Sequence, residues 1–265
     1  MTPPTTTDAP APVALPIDPR IRQRRRQVRK AEGRRRLKLA IAGACVVLLP
    51  VLGWALTRSS LLDVDHVRLR GATHTTLADA AAAAGIHRGR AMTDVDEGGA
   101  AHRLDRLPWV ARARVHRAWP GTVVIDVVER APVATVPAGR GMWAIVDATG
   151  RVLTPVLLPP PDRPMLLGLG PPGPAGSRLD APARPLLDVA AALPTALAAR
   201  ITAIAPADGG ELTLALRPQG AVRFGPPDRL GDKFAAIESV LAQVDLRRLA
   251  TLDVRVPASP VLTRQ

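Results

Sequence analysis

A block of arginines runs directly into nineteen uncharged residues, and no other feature limits the fold of this chain as much. Leu39 to Thr57 reads LAIAGACVVLLPVLGWALT and is bounded by Lys38 and Arg58. Wound as a helix, that run reaches about 28 Å, the thickness of a bilayer's hydrocarbon core. Pro50 is tolerated in a membrane span more readily than in a soluble helix, and Trp54 falls where an interfacial anchor belongs. The preceding flank, RIRQRRRQVRKAEGRRRLK, is strongly basic, whereas Arg58 is followed by Asp63 and Asp65. The positive-inside rule then puts the N-terminus in the cytoplasm and everything after Arg58 outside it, a single-pass type II arrangement. The small residues of Gly53-Trp54-Ala55 also fit a signal cleavage site. Against that, the basic stretch is long for a signal peptide and the apolar run exceeds the usual core of about 7 to 15 residues.

The charge of the chain follows from this layout. Of a net +13 over 265 residues, the first 38 carry +8 and the remaining 227 only +5. The basicity is therefore mainly a topogenic tail, with anionic-lipid contact as a second reading of the arginines and nucleic-acid binding as a third. With no Tyr, two Phe and four Trp, the chain is poorly equipped to stack on bases. Cys45 is the single cysteine and lies inside the apolar run, so neither an intrachain disulfide nor a thiolate metal cluster is available. Residues 1 to 19 are rich in Thr, Pro and Ala without periodicity and are expected to be disordered.

Beyond the span, the pattern is strand, helix, helix, strand, strand. Val67 and Leu69 alternate with Arg68 and Arg70 up to Gly71. Thr75 or Thr76 caps an alanine-rich helix that stops at Gly85. A second helix begins at Asp94 or Asp96 and runs to Leu107, ahead of Pro108. Val110 to Ala118 and Val123 to Val127 alternate across the turn Trp119-Pro120-Gly121. Arg112, Arg114 and Arg117 form a basic stripe, read either as a partner-recruiting face or as solvated sheet.

The remainder reads as a β-rich domain with two helices. Trp143 to Val146 and Arg151 to Leu153 flank a turn at Asp147-Ala148-Thr149-Gly150. Pro155 to Pro185 is mostly irregular, with a short strand within Met165 to Leu169. Leu186 to Leu193 and Asp228 to Val244 have helical spacing; in the second, Phe234, Ile237, Val240, Leu241 and Val244 form the apolar stripe and Lys233 and Glu238 fall off it. Glu211 to Arg217, Ala221 to Phe224, Thr251 to Val256 and Ser259 to Thr263 alternate as strands. The class is α+β.

The sequences LLDVDHVRLRGATHTT and LPWVARARVHRAWPGTVVIDVVERAPVA resemble the FtsQ/DivIB family of bacterial cell-division proteins. Trp109-Val110, Trp119-Pro120, Glu129-Arg130 and Pro132-Val133-Ala134 carry the match. The resemblance implies a disordered basic cytoplasmic tail over 1–38, a transmembrane helix over 39–57, a POTRA domain over 61–130 and a β-domain over 131–265. It further implies a divisome scaffold of the cell inner membrane at the division septum, binding FtsB (DivIC) and FtsL coiled-coil partners largely through the end of the β-domain. Carried onto this chain, the partner-binding residues are Arg255, Val256, Ser259, Val261 and Leu262, the last two as apolar contacts. The alanine and arginine bias suggests a high-GC bacterium.

Motifs for chemistry are weak. Gly168-Leu169-Gly170-Pro171-Pro172-Gly173 has the spacing of a nucleotide loop, but its prolines remove backbone donors and no helix is expected to follow. His66, His74, His87, His102 and His116 lack the spacing of a metal site and read as surface positions. Asp94, Asp96 and Glu97 suit a helix N-terminus. No catalytic residue, cofactor, metal, nucleic acid or small-molecule substrate is expected. The alternative function is a membrane-anchored extracytoplasmic cell-wall hydrolase, for which the chain offers no evident nucleophile.

Overall fold

The computed structural model describes residues 38–55, 62–243 and 249–264. The tail expected over 1–38 lies outside them except for Lys38, as do Leu56 and Thr57 of the expected span and Val244 of the last helix. Helix α1, Lys38–Ala55, is long and apolar enough to cross a membrane. Its large side chains, among them Val46, Leu49 and Trp54, are exposed, as expected of a surface that suits lipid better than water. It forms a unit separate from the residues that follow.

The first part of the second unit is a three-stranded sheet with two helices. β1 (His66–Arg70) precedes α2 (Leu77–Ala84) and α3 (Glu97–Leu104), and β2 (Val110–Ala118) and β3 (Thr122–Glu129) close it. The sheet order is β1-β3-β2, with β1 parallel and β2 antiparallel to β3. Thr76 is the residue that caps α2, its hydroxyl accepting from the Asp79 amide, and Gly85 stops the helix at φ +66. Asp96 caps α3 by accepting from the Gly99 amide, so its carboxylate is spent on the helix terminus. Ala80, Ala84, Met92, Leu104, Val123 and Ile125 make a core from which water is excluded.

A bulge between Val110 and Arg112 shifts the alternation of β2. Arg117 does not continue a stripe with Arg112 and Arg114. It sits half-buried on the helix side, where its Nε donates to Glu97 Oε1 at 2.9 Å. That guanidinium holds the Glu97 carboxyl below its usual range. In its place, β1 contributes Arg68 and Arg70 to the outer face, because they pair in register with Val124 and Asp126 of the central strand.

The second part is a nine-stranded mixed sheet in the order β12-β11-β10-β9-β8-β7-β4-β5-β6. Its strands are β4 (Pro132–Gly139), β5 (Met142–Asp147), β6 (Val152–Val156), β7 (Met165–Leu166), β8 (Ile201–Pro206), β9 (Leu212–Leu216), β10 (Ala221–Gly225), β11 (Leu249–Asp253) and β12 (Val261–Arg264). Helices α4 (Arg184–Ala192), α5 (Thr195–Ala198) and α6 (Leu230–Leu241) complete it, the four-residue α5 being additional to the two expected. Leu186, Leu187 and Val189 of α4 and Phe234, Ile237 and Leu241 of α6 share one core with the strands. Strands β4 and β8 were not evident from alternation; Pro132 and Pro137 lie within the first.

Lys233 falls off the apolar stripe of α6 and is nevertheless only 1% exposed. The turn before α6 supplies what its ammonium needs: the Pro226 carbonyl at 2.7 Å and the Asp228 carboxylate, with the Phe224 ring 5.0 Å away. A buried lysine is tolerated only where donors find such partners.

Candidate functional site at the open sheet edge

A sheet of nine strands has two ends, and they are treated differently. At the β6 end, the Val152 amide donates to Ser177 O at 2.9 Å and the Gly176 amide to Val152 O at 2.8 Å, so a loop covers the first half of the edge. Pro155 removes a donor from the second half. At the other end, β12 pairs with β11 in antiparallel register, Leu252 opposite Leu262 and Asp253 opposite Val261. Among the described residues no strand pairs with its outer side. No proline interrupts it.

The chain reaches β12 through a short turn in which the Ser259 amide donates to Val256 O. Val254 is fully buried and pins the turn to the core, leaving Arg255 and Val256 exposed beyond it. Val256 and Val261 are 61% and 63% exposed. Ser259 is exposed between them. Leu262 turns the other way, half-buried against the β-domain core, as alternation along β12 requires. The structure thus brings Arg255, Val256, Ser259 and Val261 to one groove, completed by Glu211 and Asp253.

Arg255 is fixed in that groove. Its Nε lies 3.0 Å and its Nη2 2.7 Å from Asp253 Oδ2, and its Nη1 approaches Glu211 Oε1 at 3.7 Å. Hydrogen bonding to Arg255 holds the Asp253 carboxyl below its usual range, and Asp253 raises Arg255 in return. Gly225 makes room: at φ +73, a Cβ there would come within 2.9 Å of Arg255 Cγ. Asp253, Glu211 and Gly225 were missed by sequence reasoning. The spacing Asp253-x-Arg255 within the expected strand Thr251 to Val256 was the available signal, since residues two apart in a strand share a face.

Trp109, Val110, Glu129 and Arg130, four of the residues that carry the family resemblance, build a second constellation where β3 leads into the β-domain. The His74 ring stacks on Trp109 with centroids 3.8 Å apart and planes 1° from parallel. His74 Nδ1 lies 2.9 Å from Glu129 Oε2, and the amides of His74 and Thr75 donate to the same carboxylate. Burial opposes ionisation of Glu129, but these donors outweigh it and bring its pKa down to about 2. Beside it, Arg130 donates to Val110 O and to Asp147 Oδ2. Arg151 Nη2 reaches the carbonyl of Arg106, just past α3, at 2.7 Å. His74 is therefore engaged by Trp109 and Glu129 although its ring remains about half exposed.

Behind a helix apolar enough to cross a bilayer stand a POTRA-type β-α-α-β-β unit and an open-edged β-rich unit, an arrangement that fits a membrane-anchored protein with two folded extramembrane parts. Residues 62–130 match the POTRA domain, FtsQ-type, and residues 134–255 match the C-terminal part of cell division protein FtsQ/DivIB. The chain is similar to cell division protein FtsQ of Rhodothermus marinus, 36% identical over 212 residues covering 78% of this chain and 76% of that one. It is similar also to FtsQ of Mycolicibacterium smegmatis, 31% identical over 234 residues covering 86% and 66%. The solved extracytoplasmic domain of Geobacillus stearothermophilus DivIB aligns at 19% identity over 44% of this chain and 98% of that one, with a TM-score of 0.33. The chain belongs to the FtsQ/DivIB family of cell division proteins. The hydrolase alternative gains no support from these relatives.

Proposed function

We propose that this chain is a non-enzymatic scaffold of the division machinery that captures an extended partner segment on β12. Main-chain donors and acceptors of an unpaired edge give affinity to such a segment, and the side chains around it give selection. The observation that supports this reading is the contrast between the two sheet ends: β6 is covered and proline-bearing, whereas the outer side of β12, beside exposed Val256 and Val261, has no strand on it among the described residues. Arg255, held by Asp253 and Glu211, supplies a fixed cation at the same edge.

The partners that fit are the FtsB (DivIC) and FtsL coiled-coil proteins, bound outside the membrane. With the basic tail in the cytoplasm and the POTRA and β-domains beyond the inner membrane, the chain links early and late division proteins at the septum. The test is a pulldown of the coiled-coil partner with the full chain, the Ala258–Gln265 deletion and V261E, which puts a carboxylate in place of an exposed apolar contact at the edge. Capture lost in both variants while the far-ultraviolet spectrum is kept supports the reading. Undiminished capture by the deletion overturns it.

A further inference from the structure

The POTRA sheet has helices on one face only. The outer face presents Arg68 and Arg70 from β1 and Arg112 and Arg114 from β2, all exposed. Central β3 contributes Val124, Asp126 and Val128 between them, so four arginines stand against one carboxylate. That carboxylate is already engaged by His116 Nδ1 at 3.4 Å. Among the described residues, none of the four arginines has a side-chain hydrogen bond or ion pair. The two rows stand two strand spacings apart, roughly 10 Å, which makes a broad charged surface.

Two further observations say what meets that surface. Trp119, in the turn between β2 and β3, is 54% exposed. The amides of Asp65 and His66 donate to Gly121 O, so this turn stands at the end of the sheet where the chain enters the domain. Ten residues separate His66 from Ala55, the last residue of the apolar helix. An exposed tryptophan at one end of a sheet that carries a basic face, close in the chain to a membrane-type helix, is a composition suited to settling on lipid headgroups.

We infer that the outer face of the POTRA sheet docks on an anionic phospholipid surface, with Trp119 entering the interface and Arg68, Arg70, Arg112 and Arg114 meeting the phosphates. Asp126 and His116 lie within the patch, and His66 at its edge; the cationic excess persists with both histidines neutral. This surface is distinct from the β12 edge and does not depend on it.

The test uses the full chain in lipid nanodiscs of phosphatidylcholine, with or without phosphatidylglycerol, and bromine-labelled acyl chains as quencher. The readout is the fluorescence of Trp119, obtained as the difference between the protein and W119F. Quenching is expected in the anionic discs at low salt, to weaken in high salt, and to fall to the phosphatidylcholine level in R68Q/R70Q/R112Q/R114Q. Each arginine removed weakens association by about fivefold. If the fourfold variant fails to fold, R112Q/R114Q and R68Q/R70Q are read separately, each giving a partial loss. Quenching unaffected by headgroup charge or by these variants overturns the inference. So does competition-sensitive binding of an acidic polypeptide to the arginines with no quenching by lipid, which assigns the face to a protein.

Discussion

Arg130, one residue past the end of β3, reaches Asp147 at the end of β5 with Nη1 2.9 Å from Oδ2, joining the POTRA sheet to the β-domain. The two side chains are 15% and 6% exposed. Burial opposes ionisation of Asp147, but donation from Thr149 and Arg130 outweighs it and holds the carboxyl below its usual range. The Arg151 amide donates to the same group. D147A leaves the guanidinium and the turn amides without their acceptor. It is expected to cost about 3 kcal/mol, read as a lower denaturant midpoint.

Glu129 sets an acid limit on the POTRA domain. Its folded pKa is depressed to about 2 from an ordinary 4.5. The stability it contributes is present above the ordinary value and is lost as pH falls from about 4.5 through about 2. E129Q removes the titrating charge and leaves one carbonyl oxygen to accept from the His74 and Thr75 amides. Thermal unfolding across that window should show a smaller slope with pH in E129Q than in the parent, and an unchanged slope would place the acid sensitivity elsewhere.

Lys233 and Asp228 should respond asymmetrically. The ammonium is buried while the carboxylate is 61% exposed. D228A leaves the buried charge with the Pro226 carbonyl and the Phe224 ring, and is expected to lower the denaturant midpoint. K233M removes the charge and keeps the volume, so it should cost less than D228A. Equilibrium unfolding of both variants decides the order.

Gly225 controls the groove from beneath. G225A places a methyl group against the Arg255 stem and puts a side chain at φ +73, a combination expected to cost about 1 to 2 kcal/mol. Its effect on partner capture should exceed that of R223A on the same strand, because only the glycine substitution displaces Arg255. Pulldown with both variants at equal folded fraction makes the comparison.

Much of the fold was legible from local signals. Thr76 and Gly85 announce the ends of α2, Pro108 stops the chain after α3, and alternation marks β2, β3, β9 and β10. These are cues in which neighbouring residues alone decide the backbone. Strands β4 and β8 were not, because prolines and small residues blur a two-residue period that only pairing with β5, β7 and β9 makes regular. Arg117 was placed on the wrong face of the sheet, and the burial of Lys233 was not foreseen, for a related reason. Each long side chain can turn inward when a distant acceptor exists, Glu97 for one and the Pro226 carbonyl for the other.

By itself the sequence determined the apolar helix, the order of elements and the residues that mark the family, since a run of uncharged residues and a cap or turn are written in consecutive positions. Tertiary structure decided that β12 ends its sheet with no strand on its outer side among the described residues while β6 is covered, that Arg255 is clamped by Asp253 and Glu211, and that Arg68 and Arg70 join Arg112 and Arg114 on one face. These depend on which strands become neighbours, and such pairings are set by packing between residues far apart in the chain.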